Sequence, residues 1–236
     1  MKVKILRSLD NTLIEYDIGD KFNTLLGALN YIKSDIDNSL TFSGGCRASI
    51  CGSCSVRVNE KEVLACEYKL QNGDTIEPLN YHKVLRDLKV DKHKALDTLI
   101  KSSSYLHKNI DNQVTQKDVK LTQTQSDCIL CSSCFSACPV FAVNEEFIGP
   151  FALSRVYRYN SDPREDNKKD TIDNIQTNGV WDCTLCGECT MACPKGIDPK
   201  TDIMMLRGVS IDNGYSDPSF SNMSFGLPDF GGGAVF

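Results

Sequence analysis

The chain has no apolar run approaching the roughly 18 residues needed to cross a bilayer. Residues 1–20, MKVKILRSLDNTLIEYDIGD, alternate apolar and polar side chains and lack the apolar core of a secretory signal. A chain made and matured in the cytosol is therefore expected. Charge of neither sign is concentrated: 26 basic residues, scattered along the chain, face 31 acidic ones, for a formal net charge of -5. That balance gives no basis for nucleic acid or an anionic membrane surface as the main partner. There is no Gly-rich phosphate loop, no G-x-S-x-G and no H-E-x-x-H, so no substrate-converting site of the chain's own is predicted. The three histidines, His82, His93 and His107, lie in polar stretches without a catalytic constellation and read as surface residues.

What the chain does have is cysteine, twelve in 236 residues. That share is below the ~8–10% of a short secreted disulfide scaffold. In a reducing compartment, tight local cysteine groups read as metal ligands instead of disulfides. With 41% hydrophobic residues the chain can form ordinary globular cores, and its length suits one or two domains at about 150 residues each.

Cys46, Cys51, Cys54 and Cys66 follow C-x4-C-x2-C-x11-C, whose first three members match the plant-type 2Fe-2S spacing. A cluster bound by four thiolates carries net negative charge, so the loop must wrap it with backbone N–H groups. Gly44, Gly45 and Gly52 permit that close approach. Zinc is the alternative, and zinc usually takes two well-separated pairs of ligands. Cys128, Cys131, Cys134 and Cys138 are followed by Pro139, and Cys183, Cys186, Cys189 and Cys193 by Pro194. Both are the C-x2-C-x2-C-x3-C-P run in which the fourth cysteine serves the other cluster. The spacing therefore assigns Cys128, Cys131, Cys134 and Cys193 to one 4Fe-4S cluster, and Cys138, Cys183, Cys186 and Cys189 to a third cluster.

Periodicity divides the chain. Strands are predicted over residues 2–7, 13–18, 55–58, 63–65 and 75–77, with a helix from the Thr24 cap to about Lys33. From Val84 the apolar period becomes helical, through Leu85, Leu88, Leu96, Leu99 and Ile100, and Asn109 to Gln125 reads as a polar connector. Pro150 to Arg158 and Pro199 to Arg207 read as helices. The fold class is α+β, with residues 1–80 a 2Fe-2S ferredoxin-like domain and 81–126 a connector with short helices. Residues 127–210 form an all-α domain with two clusters. Residues 211–236 form a flexible tail, rich in Ser, Gly, Asp and Phe from about Tyr215 and able to lie along a partner.

The order of GGCRASICGSC (44–54), RDLKVDKHKALDTLIKSSSYL (86–106), CILCSSCFSACPVF (128–141) and EEFIGPFALSRVYRYNSDPRED (145–166), with the final cysteine motif, resembles the iron-sulfur subunit of succinate dehydrogenase and fumarate reductase. The resemblance runs to about Arg207. It implies a plant-type ferredoxin domain of β-grasp fold followed by a helical ferredoxin domain. It also implies a flavoprotein partner with covalent FAD, and electron flow between flavin and quinone through 2Fe-2S, 4Fe-4S and a third cluster. In the commonest members that third cluster is 3Fe-4S and the position of Cys186 is not cysteine; here a thiol is present and 4Fe-4S is expected. The family's quinone-pocket tryptophan aligns near Ala142 and Val143, and its histidine with Thr184, so both polar quinone contacts are missing. That resembles the branch whose partner carries CCG repeats in place of a haem-bearing membrane anchor.

The resemblance implies a peripheral membrane-associated subunit, most simply on the cytoplasmic side, with export alongside a folded partner also compatible. Trp181, two residues before Cys183, is read as a shield for that cluster, with a direct role beside an acceptor as the alternative. Arg155 and Arg158, at i and i+3, are read as a solvated or salt-bridged helix face, with a flavoprotein contact as the alternative. Two other functions compete: an iron-sulfur subunit of another flavoenzyme or of a thiol-disulfide system, and a zinc-stabilised interaction protein.

Overall fold

In the computed structural model, which describes residues 1–221, the alternating N-terminal segment forms a hairpin. Strand β1 (Lys2–Arg7) buries Val3 and Ile5 and turns Lys2 and Lys4 to solvent. Strand β2 (Thr12–Asp17) pairs antiparallel with it, Ile14 opposite Ile5. Helix α1 (Leu25–Tyr31) begins where Thr24 accepts a hydrogen bond from the Gly27 N–H at 3.3 Å, and it continues as a π turn over Ile32–Ile36. Strands β3 (Ser55–Val58) and β4 (Lys61–Leu64) turn at Asn59 and Glu60, whose φ angles are 48° and 67°. Two consecutive positive φ values are what a tight two-residue hairpin turn requires.

Strand β5 (Thr75–Glu77) lies between the two hairpins, parallel to β1 and antiparallel to β3, giving the order β2-β1-β5-β3-β4. One core forms where α1 meets this sheet, around Val3, Ile5, Leu25, Leu29, Ile32 and Ile76. This mixed sheet with a covering helix agrees with the α+β class expected for the first half.

Two expectations fail beyond it. The helical period read from Val84 begins instead as a hairpin, β6 (Lys83–Arg86) and β7 (Lys89–Asp91), and only α2 (His93–Lys101) is helical. The reason is tertiary: Asp87, at a φ of 47° between the strands, is drawn into the first domain. Its carboxylate accepts from Arg7 Nε (3.1 Å), the Ser8 N–H (3.1 Å) and the Thr41 N–H (2.9 Å). Within the supposed connector, α3 (Gln116–Ser126) is a helix opened by a reciprocal Thr115–Asp118 capping box. None of its residues is buried, so it has no apolar stripe for a periodicity reading to detect.

Short helices α4 (Ser133–Ser136) and α7 (Glu188–Met191) carry the two cysteine runs, and between them lie α5 (Pro150–Asn160) and α6 (Lys168–Asp173). Helix α8 (Pro199–Asp212) packs on α5, and α9 (Pro218–Ser221) ends the described chain. The second core is made of Phe135, Phe147, Leu153, Ile172, Ile175 and Leu206. Of the tail expected from about Tyr215, that residue donates its hydroxyl to Asp173 at 2.7 Å. Residues 222–236 lie outside the described residues. Among the described residues no helix is long and apolar enough to cross a membrane.

Arg7 is the hub of the first domain, donating to Asp87, Asp37, Tyr16 and Ser39. Burial pushes the Asp87 carboxyl up, but the donors from Arg7, Ser8 and Thr41 outweigh it and leave its pKa below the ordinary value. This contribution to stability is present above the unfolded carboxyl's pKa of about 4 and is lost as pH falls through the lower folded value. Arg7→Met leaves Asp87, 2% exposed, without its cation. A loss of about 3–5 kcal/mol at pH 7 is expected, read as a lowered thermal midpoint; an unchanged midpoint would remove the hub from this account.

Candidate metal centres

The first cysteine group sits on a loop that the β3–β4 hairpin closes. Because Ser55 pairs with Leu64, Cys54 and Cys66 leave the two strand ends near each other, and the Ala65 N–H bonds the Cys54 carbonyl at 3.1 Å. Between Cys46 and Cys54 the backbone enters positive φ at Arg47 (59°), Ser49 (56°) and Gly52 (64°). These reversals aim N–H groups inward. Cys46 Sγ accepts from the N–H of Ala48 (3.4 Å), Ile50 (3.4 Å) and Cys51 (3.3 Å), and Cys66 Sγ accepts from that of Ser49 at 3.4 Å. A Cβ on Gly45 would lie 2.9 Å from Cys51 Sγ, so only glycine lets the chain come this close.

The cradle fits an anionic sulfur-bound group. A hydrogen bond from the Ser53 hydroxyl, with backbone donors, brings the Cys51 thiol down to about 6, while burial pushes Cys54 up to about 11. Cys46 and Cys51 are exposed, so this group faces solvent on one side.

The two proline-terminated runs fold as structural copies. Leu130 and Ser132 in one, and Leu185 and Gly187 in the other, take positive φ (51°, 71°, 56° and 88°) just before α4 and α7. The repeated reversal turns the first cysteines of each run back over the helix start, and the Leu185 N–H meets Cys183 Sγ at 3.4 Å.

The structure then brings the cysteines together across the repeat. Cys128, Cys131, Cys134 and Cys193 line one cavity with Ile129, Phe151 and Pro194. Cys138 lies within the electrostatic reach of Cys183 and Cys186, and Cys189 within that of Cys183, Cys138 and Cys186. Burial raises the thiols of Cys128, Cys134, Cys183 and Cys193, and pushes Cys138 to about 11 and Cys189 to about 12. Such sites hold thiolates only when a cationic centre offsets the burial, which is what the irons of a cluster supply. The donor set therefore fits clusters at all three places.

Around these groups the sequence marked Gly52 and Trp181 but not Lys92, Ser55 or Arg207. A Cβ on Gly52 would lie 2.8 Å from the Cys131 Cβ, so the first loop rests directly on the second group. Lys92 and Ser55 fill the same seam, both bonding the Cys131 carbonyl at 2.7 Å. Arg207 does similar work at the third group, donating to the carbonyls of Val180 (2.8 Å) and Cys183 (2.6 Å) with its guanidinium 5.6 Å from the Trp181 ring. Trp181 is half-buried and donates to Gln176 at 2.8 Å.

The surface reading of the histidines fails at His82, which is buried against Phe135 with ring centroids 4.8 Å apart; burial drives its imidazole down to about 4. Arg155 and Arg158, both part-exposed, converge on the Tyr159 ring at 5.5 and 5.0 Å.

Comparison with known proteins agrees with this geometry. Residues 4–97 match the family described as a 2Fe-2S iron-sulfur cluster binding domain, and residues 124–197 match a 4Fe-4S dicluster domain. The chain is 38% identical over 197 residues to the fumarate reductase iron-sulfur subunit of Escherichia coli O157:H7, covering 78% of this chain and 80% of that one. It is 32% identical over 223 residues to a subunit of the fumarate reductase (CoM/CoB) of Methanothermobacter marburgensis, covering 91% of this chain but 45% of that relative. A chain of the Mycobacterium smegmatis Sdh1 complex in the apo form shares the fold, with a TM-score of 0.78 at 22% identity over 91% of this chain and 97% of that one.

The close approach at Gly52 is directly testable. Gly52→Ala is expected to cost about 2–4 kcal/mol, from a left-handed alanine plus a core clash. Gly73→Ala shares the positive φ (87°) but meets nothing within 4 Å, so it should lose only the backbone part. Equal losses in thermal unfolding of the two variants would refute the contact between the loop and Cys131.

Proposed function

Because this chain belongs to the family of iron-sulfur subunits of fumarate reductase and succinate dehydrogenase, we propose that its twelve cysteines hold three clusters in series. Cys46, Cys51, Cys54 and Cys66 hold a 2Fe-2S cluster. Cys128, Cys131, Cys134 and Cys193 hold a 4Fe-4S cluster, and Cys138, Cys183, Cys186 and Cys189 a third, also 4Fe-4S. When bound, the clusters supply one-electron carriers in that order between the FAD of a flavoprotein subunit and a quinone or other membrane-side acceptor. The protein's own part is to fix the sulfurs, bury Cys131 and Cys134 of the second group and Cys138 and Cys189 of the third away from water, and keep the three groups close enough for electron tunnelling.

The observation that carries this reading is the crossed sorting of the two runs, with Cys193 beside Cys128, Cys131 and Cys134 in one cavity. The division into residues 1–80, 81–126, 127–210 and 211–236 is part of the same proposal; two cores support two cluster-bearing parts, the first core also taking in Leu88 and Cys131. The partners are a flavoprotein that carries out the dicarboxylate chemistry and, on the acceptor side, a membrane anchor or a CCG-repeat subunit. The subunit is peripheral to the membrane, on its cytoplasmic side.

A second reading has support of its own. The similarity to a relative named for CoM and CoB, together with Thr184 and Ala142–Val143 where the resemblance expects quinone contacts, favours a thiol-disulfide couple as the acceptor in place of menaquinone or another quinone.

Anaerobic purification of the chain with its neighbouring subunits should give a brown complex with about ten irons per chain and matching inorganic sulfide, active in succinate oxidation with an artificial dye. Cys186→Ala should lower the count to about nine and convert the third centre to a three-iron signal in EPR. An unchanged iron count and spectrum would mean that Cys186 is not a ligand; a colourless zinc-only preparation would reject the clusters altogether.

A further inference from the structure

We propose that Lys92 is a positioning residue for electron transfer: its ammonium clasps the first cysteine loop to the second cysteine group and holds up the reduction potential of both. This rests on the cluster assignment above. Lys92 lies at the start of α2, on the seam between the two cores. Its Nζ donates to the Cys131 carbonyl at 2.7 Å, to Ser55 Oγ at 2.9 Å and to the Gly52 carbonyl at 3.2 Å. An ammonium has three N–H donors, and each has an acceptor here. Two of those acceptors belong to the first loop and the hairpin that follows it, and the third is the backbone of a cysteine in the second group. Ser55, 5% exposed, completes the clasp by bonding the Cys131 carbonyl at 2.7 Å.

A cation in this position requires nearby negative charge, since burying an uncompensated ammonium is unfavourable. Among the described residues no carboxylate accepts from Lys92: its three acceptors are the carbonyls of Gly52 and Cys131 and the Ser55 hydroxyl, all on the segments that carry the two cysteine groups. The anion it answers is therefore the sulfur-bound charge on either side of the seam. Adding an electron to either group increases that negative charge, and a fixed cation favours the more negative state. Lys92 thus raises the midpoints of the first two centres. The third group has its own cation, Arg207, on the Cys183 carbonyl, and is not expected to respond. The same hydrogen bonds give a short bonded route from the Gly52 carbonyl through the ammonium to Cys131, so one side chain sets both the spacing and the electrical environment of the transfer.

The test is a dye-mediated redox titration of the assembled complex, followed by EPR, for the wild-type chain, Lys92→Met and Lys92→Arg. Lys92→Met keeps the length of the stem and removes the charge. It should shift the reduction equilibria of the first and second centres about tenfold toward the oxidised form, a fall of about 59 mV for one electron, and leave the third unmoved. Lys92→Arg should restore both midpoints. Unmoved midpoints in Lys92→Met, or equal shifts at all three centres, would overturn the proposal while leaving the clusters intact. A wild-type complex without cluster signals would overturn the cluster assignment and this proposal with it. Should Lys92→Met lose the second centre on purification, Lys92→Arg decides: wild-type midpoints there support the charge, and loss of the centre there as well overturns it in favour of plain packing.

Discussion

Everything in the second half depends on the convergence of sulfurs from distant parts of the chain. Helices α4 and α7 are four residues each, far too short to persist alone. They lie against each other where Cys193 comes back to the first run and Cys138 reaches toward the second. The packing of α5 on α8 around Phe147, Leu153 and Leu206 then closes the frame. Burial at these sites opposes free thiolates, so the fold and whatever neutralises the sulfurs must stabilise each other.

The joint between the halves combines an apolar contact, Cys131 and Ile129 against the first core, with a set of polar ones. Besides Lys92 and Ser55 it includes Ser136, 1% exposed, which donates to Glu62 at 2.8 Å and accepts the Asn80 N–H at 2.8 Å. Glu62 in turn faces Arg57 at 3.4 Å. Apolar contacts tolerate sliding, whereas hydrogen bonds to named backbone carbonyls fix a register. A protein that must keep two redox groups at a set spacing benefits from the second kind of contact. Gly52 limits the separation from the other side by allowing backbone to meet Cys131 without an intervening side chain.

Much of this was legible in the sequence. Cysteine spacing grouped the ligands, because iron-sulfur geometry demands local runs, and the N-terminal strands were legible because one face of their sheet is buried and the residues alternate accordingly. The β6–β7 hairpin was not, since Leu85 and Leu88 fit a helical period and only the capture of Asp87 by Arg7, Ser8 and Thr41 overrides it. Helix α3 escaped because it buries nothing, although the pattern Thr115-x-x-Asp118 was there to be read as a capping box. Lys92 and His82 were illegible for a simpler reason: in a polar stretch, a lysine or histidine carries no local mark of being folded inward. Lys92 matters through partners dozens of positions away.

The central placement of β5 also orders events during synthesis. The ribosome releases the chain from its N-terminus, so all four thiols of the first group emerge before residues 75–77, the strand that joins the two hairpins into one sheet. Until then the cysteine loop hangs from a hairpin with no neighbour on its inner edge, and α1 has only half a sheet to cover. The nascent chain therefore offers its sulfurs to the solvent while the scaffold is still open, and the last strand shuts it behind them.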